Sequence, residues 1–183
     1  AICFSVWLAE KAGDTTFIQQ WKAFSDKVAQ SFLKVFFGRG HEHPADVVRG
    51  KTSDWSTRPN IVIAAAMDFS PMTKEQKNNI LTIAEQKLLT PRGLRTLSPD
   101  HIRYHGSVEG NPNERELAIH QGAVWPWLIQ FYVMAYLNVK GNRRIYLQYG
   151  VGCACGGRRY AVLTNKGLCK SVGTVITVFD RDV

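Results

Sequence analysis

Arg115, Glu116, His120 and Gln121 crowd together just before a long apolar run that reaches Leu137 and carries two indoles, Trp125 and Trp127. Guanidinium, carboxylate, imidazole and amide groups between them offer hydrogen-bond donors and acceptors in several geometries. Planar apolar rings beside them offer a dry face for C–H groups. That combination suits a sugar, whose hydroxyls would meet the polar groups while its ring stacks on indole. The same residues also describe a core helix with satisfied caps, and this stretch alone leaves both readings open. A second group stands upstream, where Arg58-Pro59-Asn60 precedes another apolar run, Ile61 to Met67.

Elements must hold these two groups together, and the hydrophobic pattern says which. From Gly122 to Leu137 Gln130 is the only strongly polar side chain, so the run predicts a buried helix, with Pro126 in its first turn. His120, Gln121 and Trp125 then sit at its N-terminal mouth. Ile2 to Glu10 is mostly apolar and Ile61 to Met67 apolar on every face, and they predict two more enclosed helices, the first ended by Gly13. Amphipathic helices follow both. Phe17, Trp21, Phe24, Val28, Phe32 and Phe36 recur at three- and four-residue steps, with Thr15 as the expected cap. Thr73 with Gln76 forms a capping box ahead of Ile80, Leu81, Ala84 and Leu88. A small hairpin is expected near Ala45 to Val48, and Arg92 to Pro112 reads as a long turn-rich loop. Enclosed and amphipathic helices alternating at a spacing of about 60 residues imply paired helices in two layers, the inner ones covered on all sides. A parallel inner layer brings Arg58, Asn60, His120, Gln121 and Trp125 into one pocket.

Composition sets the outer bounds. A chain of 183 residues, 45% hydrophobic and 11% aromatic, has ample material for one folded domain and little for two. Ile2 to Ala9 lacks a basic segment before it and does not read as a signal peptide, and no apolar run reaches membrane-spanning length. The net charge of +8 is uneven: residues 142–183 carry seven basic and two acidic side chains, residues 1–141 sixteen and thirteen. A near-neutral body without a basic helical stripe argues against a nucleic-acid partner. Four cysteines, three of them in the last 31 residues, form no disulfide framework and suit a reducing cytoplasm. Cys153-Ala154-Cys155 with Cys169 has the wrong spacing for zinc, and no metal or cofactor is expected.

Longer strings carry a resemblance. Leu88-Leu89-Thr90-Pro91-Arg92-Gly93-Leu94-Arg95-Thr96-Leu97-Ser98-Pro99, Tyr104-His105-Gly106, Glu109-Gly110 and His120-Gln121-Gly122-Ala123-Val124-Trp125-Pro126-Trp127 closely resemble the amylo-α-1,6-glucosidase domain of glycogen debranching enzymes, as does Arg58-Pro59-Asn60. The resemblance covers roughly residues 1–141. It implies an all-α (α/α)6 barrel of six helical hairpins, of which this chain supplies about half, followed by an atypical basic Gly- and Cys-containing tail over 142–183. It implies general acid–base hydrolysis of the α-1,6-linked glucose stub at a branch point of glycogen, starch or limit dextrin, by two carboxylates without a metal. The acid Asp of the family falls before Ala1. The family's base lies in a Ser-Glu-hydrophobic-Phe-Asp-Gly type motif that Gly173 to Asp182 resembles, and there Thr177 stands where Glu is needed, a residue that cannot act as a carboxylate base. After Asn142 the likeness stops, as a reading-frame change or truncated gene would produce, although Arg143 to Tyr149 could still begin a helix.

The resulting expectations are specific. Arg58, Asn60, His120, Gln121 and Trp125 hold the glucose, with Arg58 either donating to hydroxyls or pairing with Glu116. Trp125 and Trp127, two apart at a helix start, point in different directions, so Trp125 faces sugar and Trp127 the core. Arg95 and Tyr104 lie in a loop that either covers the pocket or is plain surface. Glu116 and Glu109 are the best carboxylates, Glu116 being the candidate for catalysis, and Asp54 and Trp55 lie at the rim. The remainder of an enzyme chain is expected as partner. The rival readings are a non-catalytic carbohydrate-binding remnant and another six-hairpin glycosidase, trehalase-like or glucoamylase-like.

Overall fold

The computed structural model describes residues 1–38 and 40–141 and, beyond them, the backbone of three short strands. The chain opens with α1 (Ile2–Ala12), closed by Gly13 at φ 72°, a conformation suited to glycine. Next comes α2 (Thr15–Phe36). Its cap is Asp14, not the expected Thr15, and Asp14 Oδ1 accepts from the Phe17 amide at 3.0 Å. The two helices pack on each other, and Ser25 Oγ donates to Cys3 Sγ at 3.1 Å. The sequence predicts an enclosed α1, yet Val6 and Ala9 are its buried residues, while Phe4, Trp7 and Leu8 are exposed. A mostly apolar helix is enclosed only if neighbours reach every face. Here α1 meets α2 and, through Phe4 and Trp7, Phe69.

The core lies further along. Helix α3 (Asn60–Ala66) packs against α4 (Lys74–Lys87) and α6 (Ile129–Lys140), as its unbroken apolar sequence requires. Ile61, Val62, Ala65 and Ala66 meet Ile80, Leu81, Ala84, Tyr132, Val133 and Tyr136 in one cluster. Each large aliphatic side chain buried there stabilises the fold by about 1.5–3 kcal/mol. The Thr73–Gln76 capping box starts α4 as the sequence predicts. Asn138 Nδ2 donates to the Ala66 carbonyl at 3.1 Å, which satisfies an acceptor left open at the end of α3.

Two small sheets position the candidate site. The expected hairpin is β1 (Val47–Arg49) with β2 (Thr52–Asp54). A second, antiparallel sheet joins β3 (Leu89–Thr90), β4 (Gly93–Arg95) and β5 (Val124–Trp125), with Leu94 opposite both Leu89 and Trp125. Gly93, at φ 141°, lets β4 approach β5 closely: a Cβ there would lie 2.5 Å from the Trp125 carbonyl oxygen.

One expectation fails in an informative way. The sequence predicts a single buried helix with His120 and Gln121 at its mouth. Instead α5 (Pro112–His120) ends at His120, and the chain passes through Gly122 and β5 before a 3-10 turn, Pro126–Leu128, leads into α6. Gly122 adopts φ 148°, and a side chain there would strike the His105 carbonyl, so the helix must break at this point. Asn111 caps α5 in a box with Glu114.

Helices dominate the described fold, with these short sheets between them, and no described helix is long and apolar enough to cross a membrane. Within residues 142–183, β6 (Ile145–Tyr149), β7 (Arg159–Thr164) and β8 (Gly167–Leu168) form an antiparallel sheet. Residues 145–149 are therefore strand rather than the start of a helix, in keeping with their aromatic and β-branched content. Cys153, Cys155, Cys169 and the 173–182 motif with Thr177 lie outside the described residues.

Candidate functional site

Arg58 precedes α3 and stands where three segments meet. Its Nη1 donates to the backbone carbonyls of His120 at 2.7 Å and Thr96 at 3.1 Å, and its Nη2 donates to Gln121 Oε1 at 2.9 Å. Its Nε lies 3.6 Å from Asp46 Oδ2, in an ion pair whose side chains are only 15% and 7% exposed. The other oxygen of Asp46 accepts from Asn60 Nδ2 at 2.7 Å. Arg58 therefore pairs with Asp46, not with Glu116. Sequence spacing could not reveal this, because Asp46 sits at the hairpin, in a run that carries no chemical signature of its own.

Thr96 is the second organiser that sequence reasoning missed. Its hydroxyl donates to the Ile119 carbonyl at 3.3 Å and accepts from the Gly122 amide at 2.8 Å, while its amide donates to the Ala123 carbonyl at 3.0 Å. The turn between α5 and β5 is thus bound to the strand end that follows β4. Trp125 Nε1 donates to the same Ile119 carbonyl at 3.1 Å, which fixes the indole.

These contacts frame a cavity of about 270 Å³. Arg58, Asn60, Thr96 and His120 supply its polar wall, and Pro59, Ile63, Trp125, Trp127 and Leu128 its apolar wall. The two indoles meet edge to face, with centroids 6.3 Å apart at 89°, and Trp127 meets Phe131 in the same manner at 6.0 Å. Trp127 is not a core residue: it is 51% exposed, whereas Trp125 packs against the hydrophobic core. The β5 strand and the 3-10 turn after it, absent from the helical reading, orient both rings to the same cavity.

The remaining expected site residues are placed as follows. Gln121 reaches the cavity through Arg58 rather than as one of its walls. Glu116 lies on the exposed face of α5, where its Oε1 is 3.6 Å from His120 Nε2, and both side chains are more than two-thirds exposed. Arg95 Nε donates to the Tyr104 hydroxyl at 3.3 Å, and neither residue lines the cavity. None of the cavity's lining residues is a carboxylate; Asp46, behind the wall, is committed to Arg58 and Asn60, and Glu116 meets His120 from the exposed face of α5. Among the described residues no three His, Cys, Asp or Glu side chains are grouped to hold a metal ion.

The arrangement can bind a small hydroxyl-rich ring: donors on one wall, indoles on the other, and an opening to solvent. Comparisons with known proteins show the family to which the chain belongs. The family model for amylo-α-1,6-glucosidase matches residues 2–151. Glycogen debranching enzyme from Saccharomyces cerevisiae is 29% identical over 89 residues, 45% of this chain and 6% of that protein. The chain thus matches a small fraction of that relative's length.

Proposed function

Because the chain belongs to the amylo-α-1,6-glucosidase family, we propose that it is a portion of a glycogen-debranching glycoside hydrolase whose cavity between Arg58 and Trp127 holds a terminal glucosyl unit of a branched α-glucan. One observation carries this reading: two indoles at right angles share a small cavity with a guanidinium, an amide and an imidazole. In the complete enzyme two carboxylates hydrolyse the α-1,6 bond by general acid–base chemistry. Within this chain Arg58, Asn60 and His120 orient the sugar hydroxyls, Gln121 steadies Arg58, and the indoles take the ring. Arg95 and Tyr104 brace the strand end beside Thr96. A cytoplasmic location belongs to the same reading and rests on cysteine usage.

The lack of a carboxylate on the cavity wall favours a second reading beside it, a carbohydrate-binding unit without turnover of its own. Two measurements on this chain separate the possibilities. Isomaltose should bind with a Kd on the order of 1 mM, since a few hydrogen bonds and one stacking contact must offset association entropy. Branched limit dextrin should release no glucose. Turnover above a blank, abolished by Glu116→Gln, would make Glu116 catalytic and sink the binding-only form. Absence of any isomaltose binding to the folded chain would sink the pocket assignment itself.

A further inference from the structure

A second cleft lies around Trp55, formed by the hairpin and the loop after β4. Two cavities, of about 560 and 330 Å³, share Asp54 and Trp55 in their walls. The indole of Trp55 is packed against the segment that precedes the hairpin. The His41 imidazole lies flat against it, with centroids 3.5 Å apart at 4°. Gly38 abuts its six-membered ring, and a Cβ at Gly38 would come within 2.7 Å of Trp55 Cζ2 and Cη2. His41 lines neither cavity, so the indole rather than the imidazole is what both cavities present.

The groups around the ring are polar and of both signs. Arg49, Arg103, Thr52 and Ser53 border the larger cavity, and Ser98, Asp100 and Lys87 the smaller. Asp54 Oδ1 accepts from both the amide and the hydroxyl of Ser56, while Oδ2 has no hydrogen bond among the described residues and remains an acceptor for a hydroxyl. An indole already placed by these contacts, with donors and acceptors along both cavities, takes an uncharged polyol ring against the part that His41 leaves uncovered, with little ordering cost. The segments that frame this cleft also frame the first cavity. Thr57 lines one and Arg58 the other, as do Ser98 and Thr96, and the Ser98 amide donates to the Thr57 carbonyl at 3.0 Å.

We propose that the Trp55 cleft is a second binding site for a neutral α-glucan strand, engaging glucosyl units outside the cavity of Arg58 and Trp127. This rests on the sugar-binding reading of that cavity and extends it from a terminal unit to a longer chain.

The test uses the whole chain with its five tryptophans labelled as 5-fluorotryptophan, each ¹⁹F signal assigned by a single Trp→Phe replacement. Isomaltose should move the Trp125 and Trp127 signals only. Maltoheptaose should move the Trp55 signal as well. Trp55→Ala should weaken maltoheptaose about fivefold, the worth of one stacking contact, and leave isomaltose binding unchanged. The unshifted Trp7 and Trp21 signals report that this variant is folded, and Trp55→Phe should restore most of the affinity. A Trp55 signal unmoved by maltoheptaose, while Trp125 and Trp127 respond, overturns the second site and spares the first. A Trp55 signal that moves with inorganic phosphate and not with glucan overturns it in favour of an anion site. Silence at all three tryptophans removes both sites.

Discussion

Arg58 Nη1 lies 2.7 Å from the backbone carbonyl oxygen of His120, 62 positions further along the chain. The guanidinium holds the α5 terminus by its backbone, leaving the imidazole at the edge of the cavity. With Thr96, Gln121 and Asp46 also bound, one side chain fixes the relative position of the hairpin, the strand end after β4 and the turn after α5.

Arg58→Ala should therefore destabilise the fold by about 3 kcal/mol, because it leaves the Asp46 carboxylate buried without its cation. Arg58→Lys should recover little, since an ammonium cannot span four acceptors. Asp46→Asn combined with Arg58→Ala should cost less than the separate effects added. Urea unfolding of the four chains measures this, and additive losses would show that the two residues act independently.

The two indoles should separate stability from binding. Trp125→Ala removes a ring packed on the core together with its bond to Ile119, and should cost about 2–3 kcal/mol. Trp127→Ala removes a half-exposed ring, and should keep the melting temperature within a few degrees while abolishing the fluorescence response to isomaltose. Thermal melts and sugar titrations of both variants check the contrast. A full response in Trp127→Ala would assign the stacking face to Trp125 alone.

Gly122→Ala should disturb the site without removing a polar group. A methyl group there meets the His105 carbonyl oxygen at 2.5 Å, and φ 148° is strained for any side chain. A loss of about 2 kcal/mol or more is expected, together with weaker isomaltose binding as the α5–β5 turn shifts. Unchanged unfolding and binding curves would show that the turn relaxes freely.

Acid should act through Asp54. The hydroxyl and amide of Ser56 hold its carboxyl below the ordinary 3.8 against the opposing effect of burial, and the charges of Arg58 and Arg103 add lesser contributions in the same direction as Ser56. Folding then favours the carboxylate, so its stabilising contribution is present above pH 3.8 and is lost as pH falls through the folded-state value. Ser56→Ala removes the hydroxyl bond. The melting temperatures of native and variant chains should differ at pH 6 and draw together progressively as pH falls below 3.8, as melts between pH 2 and 6 would reveal. A difference that stays constant across the range would assign the effect of Ser56 to packing.

Much of this protein is local in origin. The caps at Gly13 and Thr73, the span of α2 and α4, the burial of Ile61 to Ala66 and the hairpin after Ala45 follow from periodicity and turn chemistry, which act over a few residues. Arg58, Asn60, His120 and Trp125 were legible as site candidates for the same reason, since unusual residue types cluster beside apolar runs, and the family is written in the strings from Leu88 to Trp127. What tertiary structure decided lies in contacts between segments far apart in sequence. Asp46 was invisible as the partner of Arg58 and Asn60 because nothing near it in the chain marks a buried ion pair. Trp127 turned from core to cavity wall because Gly122, pressed against His105, breaks the helix and sends the chain through β5 first. Hydrophobic pattern specifies that a side chain must leave water; it does not specify which neighbours arrive to cover it, and at α1 those neighbours left Phe4, Trp7 and Leu8 exposed.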